Sequence, residues 1–273
     1  MSNEYLPVEN HMLRSQYINT LIQDIPENEL PRDEAIPQII VQFWHDLDDI
    51  PQDVQVCINS WEVLERQGFK RLLFDEHEAG SFISQELGDE YIAAFRRCHH
   101  PAMKCDFFRL CYMLKHGGFY VDADEIYQGI DFGQYFQDRR LKLQPLCYDN
   151  STGEMVSATI FMKCIQPSKD WIFYVNNNPI ISPANHPVIQ LALDRATKRL
   201  LQNQDLLDIQ SITGPGNLTA SLVHHSITCN LTKKHPDYLI IPNWDELSIT
   251  PWPLSYREDD RNWRLWKPKE VGN

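Results

Sequence analysis

The sequence contains no CxxC pair, no apolar run near the ~20 residues that cross a bilayer, no internal repeat and no low-complexity linker. Positive charge is also short: 25 Lys plus Arg stand against 38 Asp plus Glu, a formal net charge of -13. Each shortage excludes a class. Without paired cysteines a zinc-cysteine site is not expected, and the odd count of 7, several among apolar neighbours, points to reduced, mostly buried thiols in a cytosol-like compartment. The acidic balance argues against a nucleic-acid-binding surface and against unaided adhesion to an anionic membrane. The opening "MSNEYLPVENHMLRS" has neither the basic head nor the apolar centre of a secretion signal. The expected location is cytoplasmic, with at most a peripheral association with a membrane.

What is present suits one α/β domain spanning 1–273, with 1–35 a helical N-terminal extension and 243–273 a C-terminal covering segment. The β-branched and aromatic run Ile36–His45 predicts a first strand, Pro51 and Gly68 bracket a helix, and Phe69–Asp75 predicts a second strand. Strand, helix, strand is the order that sets functional loops at strand carboxyl ends. Ser81–Cys98 predicts a helix, broken by His99, His100 and Pro101 before "AMKCDFFRLCYMLKHGG". That second helix carries Met103, Phe107, Leu110 and Leu114 as an apolar stripe, with Asp106 and Arg109 three apart on one side. Gly117 and Gly118 stop it, and "FYV" feeds a strand. "LKLQPLCYD" and "VSATIFMKC" predict a hairpin about the turn "NSTGE". "HPVIQLALDRATKRLLQN" predicts a helix, and Gly214–Gly216 a tight turn before another. The tail, with Trp244, Trp252, Trp263 and Trp266, shows little regular period.

The stretch "HGGFYVDADE" sets Asp122, Asp124 and Glu125 at the exit of a strand, where three carboxylates repel one another unless a positive group joins them. A turn begun after Asp122 brings the two aspartates around one metal–phosphate assembly. Mn2+ or Mg2+ has the required preference for hard oxygen ligands and leaves positions for water and diphosphate. A solvated acidic turn is the plain alternative.

The linked pattern "AMKCDFFRLCYMLKHGGFYVDADE", together with "IPQIIVQFWHDLDDIPQDVQVCINSW", "NNNPIISPANHPVI" and "SITGPG", resembles DxD-containing sugar transferases. The family is that of yeast initiating α-mannosyltransferases and bacterial capsular or lipopolysaccharide sugar transferases, and more distantly the glucosylating clostridial toxins; the resemblance covers Pro37 to Gly216. It implies a GT-A-type, Rossmann-like α/β fold with a mixed central sheet and flanking helices. It also implies a UDP- or GDP-sugar donor, a divalent cation, retention at the anomeric carbon, and a glycan, glycolipid or protein hydroxyl as acceptor.

Carried onto this chain, the resemblance sets Trp44 against the nucleobase, although a core role fits the same residue. Asp106 would hold donor-sugar hydroxyls and Arg109 the donor sugar or diphosphate, consistent with a carboxylate accepting from hydroxyls and a guanidinium holding oxyanions. Asp122 would touch ribose and approach the metal through water, and Asp124 would ligate it. Gly118 would let the backbone pass close to the donor, or simply cap the helix. Relatives complete the metal site late in the chain, where "EDDRNW" offers Glu258, Asp259 and Asp260 for the acidic role; the order of candidates is Asn262 and Trp263 first, then Glu258 or Asp259. Asn185 and His186, with Thr213 and Gly214, are acceptor-side candidates. Two rival classes stand beside this one. A DxD phosphohydrolase would want a hydroxylated residue where Ile126 stands, and a catalytically quiet carbohydrate-binding or effector protein could keep the fold alone.

Overall fold

The structure, a computed structural model, describes residues 6–23, 36–202, 208–259 and 261–266. Expectations for 1–5, 24–35 and 267–273, and for Asp260, fall outside the described residues. The chain opens with helices α1 (Leu6–Glu9) and α2 (His11–Gln23), then strand β1 (Ile39–Phe43) and helix α3 (Gln52–Ser60). A 3-10 segment, Trp61–Gln67, prolongs α3 to Gly68, whose φ of 94° makes the left-handed stop. Strand β2 (Lys70–Phe74) follows and pairs with β1 in parallel.

The expected helix over Ser81–Cys98 is two helices, α4 (Glu76–Glu86) and α5 (Asp89–Arg96). Asp75 and Glu78 form a reciprocal capping box that starts α4 early, and Gly88, with φ 98°, breaks the run. Helix α6 (Pro101–His116) has Pro101 in its first turn, and the His100 ring accepts the Ala102 N–H at 3.0 Å. It is buried nearly all round, beyond the single stripe expected.

Strand β3 (Gly118–Tyr120) leaves α6 through two glycines with positive φ. A Cβ on Gly117 would lie 2.6 Å from the Ser182 carbonyl oxygen, and one on Gly118 2.8 Å from that of Ile39. Close passage of two other strands therefore requires glycine at both positions. Beyond β3 come β4 (Ile126–Tyr127), β5 (Leu141–Asp149) and β6 (Glu154–Val156). The expected strand "VSATIFMKC" stops after Val156: pairing with β5 ends there, and α7 (Ala158–Phe161) turns Phe161 onto Phe173, ring centroids 5.8 Å apart.

Strand β7 (Trp171–Ser182) was not expected from the sequence, because three asparagines and Pro179 interrupt its apolar character. It is nevertheless central. The described residues form a seven-stranded sheet, six strands in the order β2-β1-β3-β7-β5-β6 and a seventh also on β5, with β7 antiparallel to both β3 and β5. After β7 run α8 (Pro187–Gln202), α9 (Ile209–Ile212), α10 (Pro215–Thr232), β8 (Tyr238–Ile240), which joins β5 in parallel, and β9 (Ser248–Ile249), which pairs with β4.

Side chains along β3 alternate between two cores. Tyr120 faces the larger core with Phe108 of α6, Leu193 of α8 and Leu222 of α10, while Phe119 and Val121 face a smaller one with Trp61, Phe132 and Trp244. The result is a mixed α/β fold, a central sheet flanked by helices, consistent with a GT-A-like Rossmann-type arrangement. No described helix is long and apolar enough to cross a membrane.

Candidate active site

At the carboxyl ends of β1 and β3 the surface opens into a cavity of about 630 Å³, within the range of small-molecule sites. The Glu125 N–H donates to the Asp122 carbonyl at 3.2 Å, closing a turn over Ala123 and Asp124 that aims the acids at this cavity. The Asp122 N–H donates to Asn178 Oδ1 at 2.7 Å, so β7 fixes where the turn begins.

Arg109, 2% exposed, is the hub beneath the acids. It donates to Asp122 Oδ1 at 2.7 Å and to the Asn177 carbonyl at 2.5 Å, lies 3.3 Å from Asp106 Oδ1, and stacks 4.6 Å from the Tyr120 ring centroid. Its Nε has no partner. Asp106 accepts from Asn177 Nδ2 at 2.8 Å and from Thr213 Oγ1 at 3.2 Å. Two residues predicted separately, one from the helix and one from "TGPG", are thus hydrogen-bonded to each other.

Burial, with charge crowding behind it, raises the proton affinity of these acids. Burial, partly offset by Arg109 and reinforced by Asp124, pushes Asp122 up to about 6. Burial, then Asp124, pushes Glu125 up to about 7. Glu125 is 8% exposed and accepts from Asn178 Nδ2 at 3.1 Å and Thr250 Oγ1 at 3.0 Å. Its folded form binds more protons than the unfolded chain between the usual carboxylate range and pH 7. Stability therefore falls as pH rises through that window, and the full cost, about 3 kcal/mol, is present above it. Glu125→Gln should be more thermostable than wild type at pH 8 and lose that advantage towards pH 4, by melting curves in chelator. A pH-independent difference would show that the carboxylate is not the strained group.

The tail closes the cavity. Ser255 donates its N–H to Asp53 Oδ2 at 2.6 Å, tying the tail to the first turn of α3. Tyr256 and Arg257 then both donate to Asp124 Oδ2, at 2.6 and 2.5 Å. Trp44, 7% exposed, lines the cavity and meets Tyr256 edge-on with ring centroids 5.4 Å apart. Asn262, also lining the cavity, holds the tail's own backbone, donating to the Arg257 carbonyl at 2.8 Å and accepting from the Arg264 N–H at 3.1 Å. Trp263 lines the cavity beside it.

Other predicted residues lie elsewhere. Glu258 and Asp259 are exposed and do not line the cavity; Asp259 is paired with Arg261 at 2.7 Å. Gly118 faces Ile39, not the cavity, because its place is at the start of β3 and the acids follow the strand's end. Asn185 and His186 are also at the far end of the sheet: Asn185 is an exposed turn residue with φ 58°, and His186 contacts Asp237. Gly214 lines the cavity, and Thr213 reaches it only through Asp106. The sequence reading missed Asn177, Asn178, Tyr256 and Arg257. The asparagine run inside an otherwise apolar segment was the available signal for the first two.

Among the described residues, the group of three His, Cys, Asp or Glu ligand atoms close enough to share an ion is His225, Cys229 and Asp237, not the acid pair. Arg109 and Arg257 each hold one carboxylate of that pair. The acid pair still suits a divalent cation in charge and in oxygen donors: Asp124 has recruited a guanidinium where an ion would neutralise it.

Residues 51–129 match a family model described as "Glycosyltransferase sugar-binding region containing DXD motif". An uncharacterized glycosyltransferase of Acanthamoeba polyphaga mimivirus is 24% identical over 202 residues, 74% of this chain and 68% of the viral protein. The solved PaToxG glycosyltransferase aligns over 96% of this chain and 95% of its own with a TM-score of 0.47 and 16% identity. The matched segment holds α6, Asp106, Arg109 and the acid turn, and the chain is a DXD-motif glycosyltransferase-like protein.

Proposed function

We propose that this protein is a metal-dependent retaining glycosyltransferase. It moves a hexose from a UDP- or GDP-sugar to a hydroxyl of a glycan, glycolipid or protein, in polysaccharide biosynthesis, acting from the cytoplasm, transiently at a membrane surface, without a nucleic-acid partner. The observation that carries the reading is the meeting of Asp106, Arg109, Asp122 and Asp124 in one cavity at the strand ends, inside the segment matched to the sugar-binding family. The finer kinship, to initiating mannosyltransferases and capsular sugar transferases, belongs to the same reading.

Asp124 would hold Mn2+ or Mg2+ directly and Asp122 through water, with Asn262 nearest among the late candidates; Glu258 and Asp259 would have to move with the tail. The bound ion would offset charge on the departing diphosphate. Asp106 accepts hydroxyls of the donor sugar, and Arg109 acts mainly by fixing Asp106 and Asp122. Trp44 gives the nucleobase an aromatic wall. Cys105, the cysteine that lines the cavity, has its thiol pushed up to about 12 by burial, which leaves it a poor nucleophile. Same-face substitution fits best: the bond from anomeric carbon to phosphate oxygen breaks, the acceptor oxygen bonds to that carbon, and the acceptor proton passes to the departing phosphate.

The seat of Arg257 on Asp124 favours a second reading, a catalytically quiet sugar-binding protein, because a guanidinium there blocks direct metal ligation. The two readings separate on one variant. If an ion has to displace Arg257, Arg257→Ala should bind Mn2+ about tenfold or more tighter, the scale of one charge-assisted hydrogen bond. Calorimetry with Mn2+ and UDP or GDP measures it. Absence of metal binding in wild type and variant alike would favour the quiet protein. A panel of UDP- and GDP-sugars with Mn2+ or Mg2+, followed by nucleotide release, tests the transferase itself; turnover of phosphomonoesters but of no nucleotide sugar would overturn it.

A further inference from the structure

The strand registers set a second group of chemically active side chains at the opposite end of the sheet from the acid turn. Gly118 pairs with Ser182, Leu141 with Tyr238, and the Leu141 N–H donates to the Asp237 carbonyl at 2.9 Å, so Asp237, across β7 and β5, is level with the start of β3 and not its end. His225 and Cys229, one helical turn apart on α10, face the same side. His225 Nε2 lies 2.6 Å from Asp237 Oδ1 and 3.5 Å from Cys229 Sγ, and all three ligand atoms lie within 4.8 Å of one another.

We propose that His225, Cys229 and Asp237 form a Zn2+ site, separate from the DXD cavity. A single imidazole nitrogen faces both a carboxylate and a sulfur, and one N–H cannot serve both. A metal ion can serve all three. Tetrahedral zinc, with Zn–N of about 2.0–2.1 Å and Zn–S of about 2.3 Å, separates its nitrogen and sulfur ligands by roughly 3.6 Å. The observed 3.5 Å already matches that spacing. Only the His–Asp contact, 2.6 Å, has to open, towards about 3.3 Å. One nitrogen, one thiolate and one carboxylate form a borderline-soft donor set, which selects zinc over Mg2+ or Mn2+. The fourth position is open to water, since the Asp237 side chain keeps 37% of its exposure.

His186 completes the surroundings. Its ring, 3% exposed, lies with Nε2 3.0 Å from the Asp237 carbonyl oxygen and 3.6 Å from the carboxylate, and Nδ1 accepts the Val188 N–H at 3.2 Å. It is held where a positioning residue orients a ligating carboxylate. The ion would clamp the end of α10 to the start of β8 across the turn at Lys233, whose φ is 56°. The sequence conceals this site because its spacing, His-x3-Cys-x7-Asp, contains no cysteine pair. Nothing in it depends on the sugar-transfer reading.

The test uses the full chain, stripped with chelator and titrated with Co2+ alone, read by thiolate-to-metal charge-transfer absorption. One equivalent with that band is expected in wild type and in Asp124→Asn, with loss of the band in Cys229→Ser. Zn2+ should bleach it stoichiometrically, and Asp237→Asn should weaken Co2+ binding by tenfold or more, the effect of losing one ligating charge. Absence of the band at excess Co2+, its survival in Cys229→Ser, or its loss in Asp124→Asn would each overturn the proposal. Circular dichroism on both site variants separates lost binding from lost folding.

Discussion

Asp124→Asn is expected to lower metal-dependent nucleotide release from a sugar donor by a hundredfold or more, about 3 kcal/mol of transition-state stabilisation. The substitution keeps the shape of the side chain and an acceptor oxygen for the Tyr256 hydroxyl. What it removes is the charge that answers Arg257 in the closed state and would answer the ion in the working one. Because Arg257 keeps 17% side-chain exposure, water can take over part of its solvation, and the variant should melt close to wild type. Nucleotide release with and without Mn2+, for both proteins, measures the effect. Unchanged, metal-independent turnover would sink the assignment of the ion to Asp124.

The second large effect is on folding. Arg109→Met should cost about 3–5 kcal/mol, the range for stripping one partner from a buried ion pair. The loss is severe because one guanidinium serves Asp122, Asp106 and the Asn177 carbonyl together. Methionine fills the volume and answers none of them. In melting temperature this amounts to roughly 10 °C for a chain of this size. Arg109→Lys keeps the charge without the fork and should recover part of it. The penalty has a sign in pH. Removing the cation raises the pKa values of both acids further, so the variant should lose more stability at pH 8 than at pH 5, where the carboxyls can take up protons. An equal loss at both pH values would mean that packing, not charge, is what Arg109 supplies.

The sequence carried the first half of the fold closely. Periodicity and punctuation placed β1, α3, β2 and α6 because these are local signals: Pro51 and Gly68 bracket one helix, and Gly117 and Gly118 end another. It carried the hub of the site too, since Asp106 and Arg109 share a helix face and the acid pair lies one short strand away. It failed where a residue's role depends on a distant partner. Asn177 and Asn178 look like strand breakers until they are seen answering Asp106, Glu125 and the Asp122 N–H. Arg257 looks like one more charge in a mixed tail until it meets Asp124, 133 positions earlier in the chain. His186 was drawn to the acceptor side by its neighbours in sequence, while its chemistry is with Asp237 on the far edge. In each case the missing information is which distant segments meet, and no spacing within a segment encodes that.

The position of β7 has a further consequence. The segment 51–129 matched to the sugar-binding family is not a portable module. Arg109 answers Asp106 and Asp122 from within it, but the other partners of its buried carboxylates come from outside: Asn177 and Asn178 of β7 and Thr213 before α10. A chain emerging from the ribosome would carry Asp106, Arg109 and Asp122 for some fifty residues before the strand that covers them exists. Pairing of such sequence separation closes late in folding. Grafted alone onto another scaffold, that segment would present Asp106, Arg109 and Asp122 stripped of the amide and hydroxyl partners that complete the binding pocket. The recognisable signature and the unit that folds are different lengths of the same polypeptide.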